Sequence, residues 1–311
     1  MRITTGMMSG GYLRNINNNL TELQKYQNQI SSQKRLTKLS DDPIGIIRSM
    51  QARVRLANTA RYQDDVESAQ KWLTQTETSL NELNNIIQKI YESSVESSTD
   101  TLSPEDRQAT AQLIGQLRDH LITVGNNKFG DKYIFGGFNT AAPPFTLDAG
   151  GNILYNGVGM DNPADPTLIA EGQQVIQYSV GLNLRTDVSL NGVQLFGTGN
   201  DNIYKLVDDF YNDLQNGAPA SALSAYTSKF QTAQSSVLSN LADIGGRTNR
   251  LKLLENRYSV DEVNFTEIKS KVEDIDVAEV TVQWKTAMSV YEYALKIGSS
   301  ILQNSLVDYI R

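Results

Sequence analysis

Residues Asp64 to Tyr91 read DDVESAQKWLTQTETSLNELNNIIQKIY, and the spacing of their apolar side chains decides the fold class. Val66, Ala69, Leu73, Thr76, Leu80, Leu83, Ile87 and Ile90 alternate steps of three and four through four heptads. A 3.5-residue period lays one narrow stripe along a helix, as in a coiled-coil seam; the buried face of a globular helix is wider. At about 1.5 Å per residue the segment is a rod of roughly 40 Å.

The same period spreads outward in both directions. Toward the N-terminus, Leu13, Ile16, Leu20, Leu23 and Ile30 share one face, with Gln27 at a seam position, so this stretch needs a partner helix. Between the two stretches, Ser40-Asp41-Asp42-Pro43 offers an N-cap carboxylate at Asp42 followed by proline at the first helical position, and a new helix is expected there. Toward the C-terminus a third seam runs through Ile244, Leu251, Leu254, Tyr258, Phe265, Ile268, Val272 and Ile275, broken by Asp261. A fourth follows through Val280, Trp284, Ala287, Tyr291, Ala294 and Ile301. Met288, Leu295, Leu302 and Tyr309 recur every seven residues beside it, so apolar groups cover more than half the circumference of the last helix. One partner would leave part of that surface wet.

The stretch from Gly130 to Gly199 has a different texture. Tyr133-Ile134-Phe135, Ile153-Leu154-Tyr155 and Val175-Ile176-Gln177-Tyr178 read as short strands. Asp148-Ala149-Gly150-Gly151-Asn152 and Asn191-Gly192 read as hairpin turns, while Pro143, Pro144, Pro163 and Pro166 oppose helix. Helices are expected to resume near Asn202 and Ser221. The chain therefore reads as mainly α, a long-helix coiled-coil rod with a small β-rich domain inserted in its middle. Its expected division is into terminal core helices over 1–42 plus 277–311, a helical domain over 43–138 plus 200–276, and an outer β-rich domain over 139–199.

Composition narrows the function. Of 311 residues 39% are apolar and 8% aromatic, lean for a single compact core, and the formal charge is -7. That charge opposes nucleic acid and anionic membrane surfaces, and no run approaches the ~20 apolar residues of a membrane span. The glycines and serine between Gly6 and Gly11 interrupt any secretory apolar run, so export without a cleaved signal is expected. Met1 to Arg61 holds ten bases against three acids and Glu255 to Lys285 eight acids against four bases, so the two ends should attract.

Chemistry-bearing constellations are sparse. The chain has no cysteine and one histidine, His120, in a helical stretch with Leu113, Leu117 and Leu121, where a structural or surface role is expected. The acid pairs Asp64-Asp65, Asp208-Asp209 and Glu273-Asp274 are neighbours on helices and do not face each other. Gly150-Gly151 and Gly245-Gly246 lack the lysine and strand-turn-helix context of a phosphate loop, and Asp161, Asp165 and Asp187 have no calcium-loop spacing. No enzyme, cofactor or metal site is expected.

Met1-Arg2-Ile3-Thr4, Leu39-Ser40-Asp41-Asp42-Pro43 and the ending Asn304-Ser305-Leu306-Val307-Asp308-Tyr309-Ile310-Arg311 together resemble flagellin-family axial proteins. Asp42-Pro43, Phe135-Gly136-Gly137, Pro144-Phe145 and Asn152-Ile153-Leu154-Tyr155-Asn156-Gly157 are closer to the hook-associated members than to filament flagellins, which usually carry Asp-Asp-Ala-Ala at that turn. Glu273-Asp274-Ile275-Asp276-Val277-Ala278-Glu279 matches the family's paired acids before the last helix. The resemblance implies a non-enzymatic, extracellular subunit of the bacterial flagellum joining hook to filament. It would self-associate in a ring or short helical zone, meet a junction protein on the hook side and flagellin on the other, and travel with an export chaperone on its C-terminal helix. The other readings are a filament flagellin and a type III secreted coiled-coil interaction protein. The assembly residues expected for the junction subunit are Leu20, Leu23, Ile30, Trp284, Tyr291, Leu295, Leu302 and Leu306, with Asp42 and Pro43 at the turn between the first two helices.

Overall fold

The computed structural model describes residues 5–99 and 103–307. It divides into two compact units, one from Met1–Ala60 and Val260–Arg311, the other Arg61–Ser259. Helices α1 (Thr5–Ser32), α2 (Pro43–Ser97) and α3 (Pro104–Gly125) open the chain, and α6 (Ile203–Gln215), α7 (Ala220–Glu273) and α8 (Val277–Val307) close it. Between them lie β1 (Lys128–Phe129), β2 (Lys132–Tyr133), β3 (Phe145–Leu147), β4 (Ile153–Tyr155), β5 (Val158–Gly159), α4 (Pro166–Gly172), β6 (Gln177–Gly181), β7 (Leu184–Asp187) and α5 (Gly192–Phe196). The strands form three small antiparallel sheets, β1-β2, β3-β4-β5 and β6-β7.

The heptad stripe of Asp64 to Tyr91 is the spine of the larger unit. Val66, Ala69, Leu73, Leu80, Leu83, Ile87, Ile90 and the seam residue Thr76 are all fully buried. Opposite them run Leu223, Phe230, Val237, Ile244 and Leu251 of α7. The helices are antiparallel: Tyr62 packs at a tilt against Tyr258 with ring centroids 5.8 Å apart, and Gln70 donates to Glu255 at 2.9 Å. Helices α3 and α6 also pair antiparallel, with Arg118 Nη1 donating to Asp208 Oδ1 at 2.6 Å and, just past the end of α6, Arg107 Nη1 donating to the Ala218 carbonyl at 3.0 Å. An aromatic knot of Phe210, Tyr226 and Phe230 joins α6 to α7.

The insert is packed rather than loosely appended. Phe145 lies 4.5 Å from Phe196 and 5.4 Å from Tyr155, whose hydroxyl donates to the Phe135 carbonyl. Hairpin β6-β7 is strapped to α7 by Tyr258 Oη donating to the Val180 carbonyl and by Arg247 Nη1 donating to the Asp187 carbonyl at 3.1 Å.

Three local expectations change. Pro166 does not oppose helix: it occupies the first position of α4, where its missing N–H is one of the orphans anyway, behind Asp165, which accepts from Thr167 N at 2.8 Å. Asn191-Gly192 is no hairpin turn, because Asn191 caps α5 by accepting from Val193 N. Ile268 leaves the third seam and is 46% exposed.

Candidate assembly surface

The smaller unit is built from α1, α8, the first part of α2 and the last part of α7. Helix α2 begins at Pro43, and Asp42 holds that start: its Oδ1 accepts from Gly45 N at 2.9 Å, and this bond draws its carboxyl below the usual range. Any side chain at Gly45 would run into the Asp42 carboxylate, so the glycine is part of the cap. Asp276 starts α8 in the same manner, accepting from Ala278 N at 2.9 Å and Glu279 N at 3.2 Å.

The linkers before α2 and before α8 are clamped together. Lys34 and Asp274 form an antiparallel bridge, with Arg35 N donating to the Glu273 carbonyl at 2.6 Å and Ile275 N to that of Gln33 at 3.4 Å. The Arg35 guanidinium donates to the Val272 carbonyl, and Lys34 Nζ reaches Asp274 at 2.5 Å and Glu273 at 3.5 Å. From α2, Arg53 donates to both Glu273 oxygens at 2.6 and 2.9 Å, and Ser49 donates to the same carboxylate. The base-rich and acid-rich ends thus meet in ion pairs, as their composition anticipates.

Helices α1 and α8 lie antiparallel, tied by Tyr12 Oη donating to the Ala294 carbonyl at 2.7 Å. Gly298 makes that approach possible, since any Cβ there would collide with the Tyr12 ring. Leu20, Leu23 and Ile30 on α1 are half-buried, as are Trp284 and Tyr291 on α8. Pro43 and Leu295 are exposed; Leu302 and Leu306 lie beyond the described side chains. Sequence reasoning missed Tyr12, Gly298 and the clamp residues Lys34, Arg35 and Arg53, because none belongs to an apolar period.

This pairing leaves much apolar surface open. Of the described side chains in the unit, only Ala52 and Val280 are both apolar and buried, whereas Ile44, Ile47, Met50, Val54, Val260, Val263, Val282, Val290, Tyr293, Leu295 and Ile297 are exposed. The indole N–H of Trp284 is buried with no acceptor among the described residues. A groove of about 250 Å³ lies along α1 and α8, lined in part by Tyr26, Val282, Ala287 and Val290.

No set of three or more metal-ligating side chains occurs among the described residues, and His120 is a surface group 3.1 Å from Glu82. The fold defines a class of long-helix chains whose terminal unit keeps an apolar helical face open. Residues 3–140 match the family model of the bacterial flagellin N-terminal helical region. Over 303 residues, 94% of this chain and 92% of theirs, the sequence is 27% identical to flagellar hook-associated protein 3 of Escherichia coli and 24% identical to that of Salmonella typhimurium. The fold matches the crystal structure of the flagellar junction protein FlgL from Legionella pneumophila with a TM-score of 0.59 at 15% identity, covering 74% of this chain and 100% of that one. The particular protein that this chain resembles over nearly its whole length is flagellar hook-associated protein 3.

Proposed function

We propose that this chain is a structural, non-enzymatic subunit of the bacterial flagellum, placed at the junction of hook and filament outside the cell. The likeness to hook-associated protein 3 over nearly its full length supports the position in the flagellum, and the open apolar face of α2, α7 and α8 supports the mode of action. That face is the single observation that carries the mechanism: helices that bury almost no apolar side chain among the described residues gain stability when copies of the chain or related subunits cover them.

Burial drives the step. Covering a leucine or tyrosine contributes ~1.5–3 kcal/mol, so a few such residues outweigh the ordering entropy of a short helical segment. Hook and filament proteins are the neighbours in this reading, with copies of the chain arranged in a ring or short helical zone and an export chaperone covering α8 before assembly. The clamp at Glu273 holds the two linkers in register while this happens.

Deleting the gene should abolish motility and release flagellin unpolymerised into the medium, and the intact gene supplied in trans should restore both. Cells that still carried attached filaments without the protein would overturn the junction role.

A further inference from the structure

The chain contains three Asn-Gly pairs, Asn156-Gly157, Asn191-Gly192 and Asn216-Gly217, the dipeptide most prone to lose ammonia because glycine leaves the attacking nitrogen unhindered. The fold treats them differently. Asn191 is fully buried: its Nδ2 donates to the Glu171 and Gln174 carbonyls, its Oδ1 accepts from Val193 N, and Gly192 N is held by the Phe135 carbonyl at 3.0 Å. At Asn156, Nδ2 donates to Glu171 Oε2 at 2.8 Å and to the Gly136 carbonyl at 3.3 Å. Either asparagine must break its amide bonds before its Cγ can be attacked.

Asn216 has no such restraint. It ends α6 as an exposed residue whose side chain makes no hydrogen bond among the described residues. Gly217 follows at φ +69 with open space around its Cα, and its N–H reaches the Leu214 carbonyl at a long 3.3 Å. The turn is closed by Ala218 N donating to the Asp213 carbonyl at 2.9 Å, which leaves the Asn216 side chain outside the cap.

We propose that Asn216 is a site of spontaneous deamidation, selected from the three by the fold. The amide nitrogen of Gly217, its proton taken by a base in the solvent, attacks Asn216 Cγ to form the N–Cγ bond; the conjugate acid returns a proton to Nδ2, the Cγ–Nδ2 bond breaks and ammonia leaves. Water then opens the succinimide at either carbonyl, giving aspartate or isoaspartate. Either product puts a carboxylate at the C-terminal end of α6, where the helix dipole disfavours it. Isoaspartate also lengthens the backbone inside the turn that Ala218 closes, and the Ala218 carbonyl is what Arg107 holds from α3. The modification therefore marks the age of a copy and loosens its α6–α7 turn.

The test is to incubate the full native chain in mildly alkaline buffer, digest it, and follow all three peptides by mass spectrometry with enzymatic isoaspartate labelling. The Asn216 peptide should convert several-fold faster than the other two, and in urea the three rates should draw together. Equal rates in the native chain, or the same ranking and spread after unfolding, would overturn the assignment. In an Asn216→Gln variant, isoaspartate persisting in that peptide would do so as well.

Discussion

Glu273 gathers the polar contacts of the terminal unit onto one carboxylate whose side chain is 3% exposed. The Arg53 guanidinium beside it, outweighing the opposing effect of burial, holds its pKa down to about 2. Because the folded value lies below the unfolded one near 4.3, the stabilisation is fully present above that value and drains away as pH falls toward 2. Glu273→Gln should lower the unfolding free energy by ~1.5 kcal/mol, the low end for a charge-assisted bond because Arg53 is itself 61% exposed. It should also flatten the pH dependence between pH values of about 5 and 2. Urea unfolding followed by far-UV circular dichroism reads both, and a variant with wild-type stability and an unchanged acid profile would refute the role given to the clamp. A second residue-scale test lies in the insert, where a Cβ on Gly192 would sit 2.6 Å from the Phe145 ring and against Tyr155. Gly192→Ala should overpack this aromatic corner by ~1–3 kcal/mol and lower the thermal midpoint; an unchanged midpoint would mean that the rings move aside freely.

Among the elements, α8 shows how periodicity and packing diverge. Val280, Trp284, Ala287, Tyr291 and Ala294 are buried or half-buried as their spacing requires, and the parallel heptad of Met288 and Leu295 is exposed. Both stripes are legible because burial against a helix repeats every three and four residues. Gly298 is not legible: a glycine inside a helix looks like a weakness until Tyr12 is seen lying over it. This makes the sign of Gly298→Ala diagnostic. Intrinsic propensity alone would raise helix stability by ~1 kcal/mol, whereas collision with Tyr12 should separate α1 from α8 and reduce helicity. If far-UV circular dichroism shows a gain, the two helices do not need this close approach. The insert is less legible for a related reason: β1, β5 and β7 are strands of two to four residues, too short to display a period, and α4 and α5 are fixed by side-chain caps at Asp165 and Asn191 rather than by apolar spacing. The clamp depends on contacts between residues more than two hundred positions apart, such as Arg53 with Glu273, which charge composition hints at without naming partners.

For the molecule as a whole, the decisive fact is where the core lies. Its cluster of buried apolar side chains runs from Val66 to Tyr258 and falls wholly within the larger unit, while the terminal unit relies on a polar clamp and a thin seam. Stability is then uneven along one chain, and local opening should follow that division. In the free subunit, backbone amides of α1 and α8 should exchange with solvent well before those of α2 from Val66 to Ile90. On assembly the terminal amides should gain protection as neighbours cover Val282, Tyr293 and Ile297. Replacing Leu295, Leu302 and Leu306 together by alanine should abolish incorporation, since each covered leucine contributes ~1.5–3 kcal/mol, yet leave exchange in the larger unit unchanged because all three lie outside the Arg61–Ser259 segment that forms it. Hydrogen exchange read by mass spectrometry on free and incorporated protein separates the possibilities. Terminal helices already as protected in the free subunit as the Val66–Ile90 seam would mean that the chain shelters its own ends and that assembly adds nothing to their order.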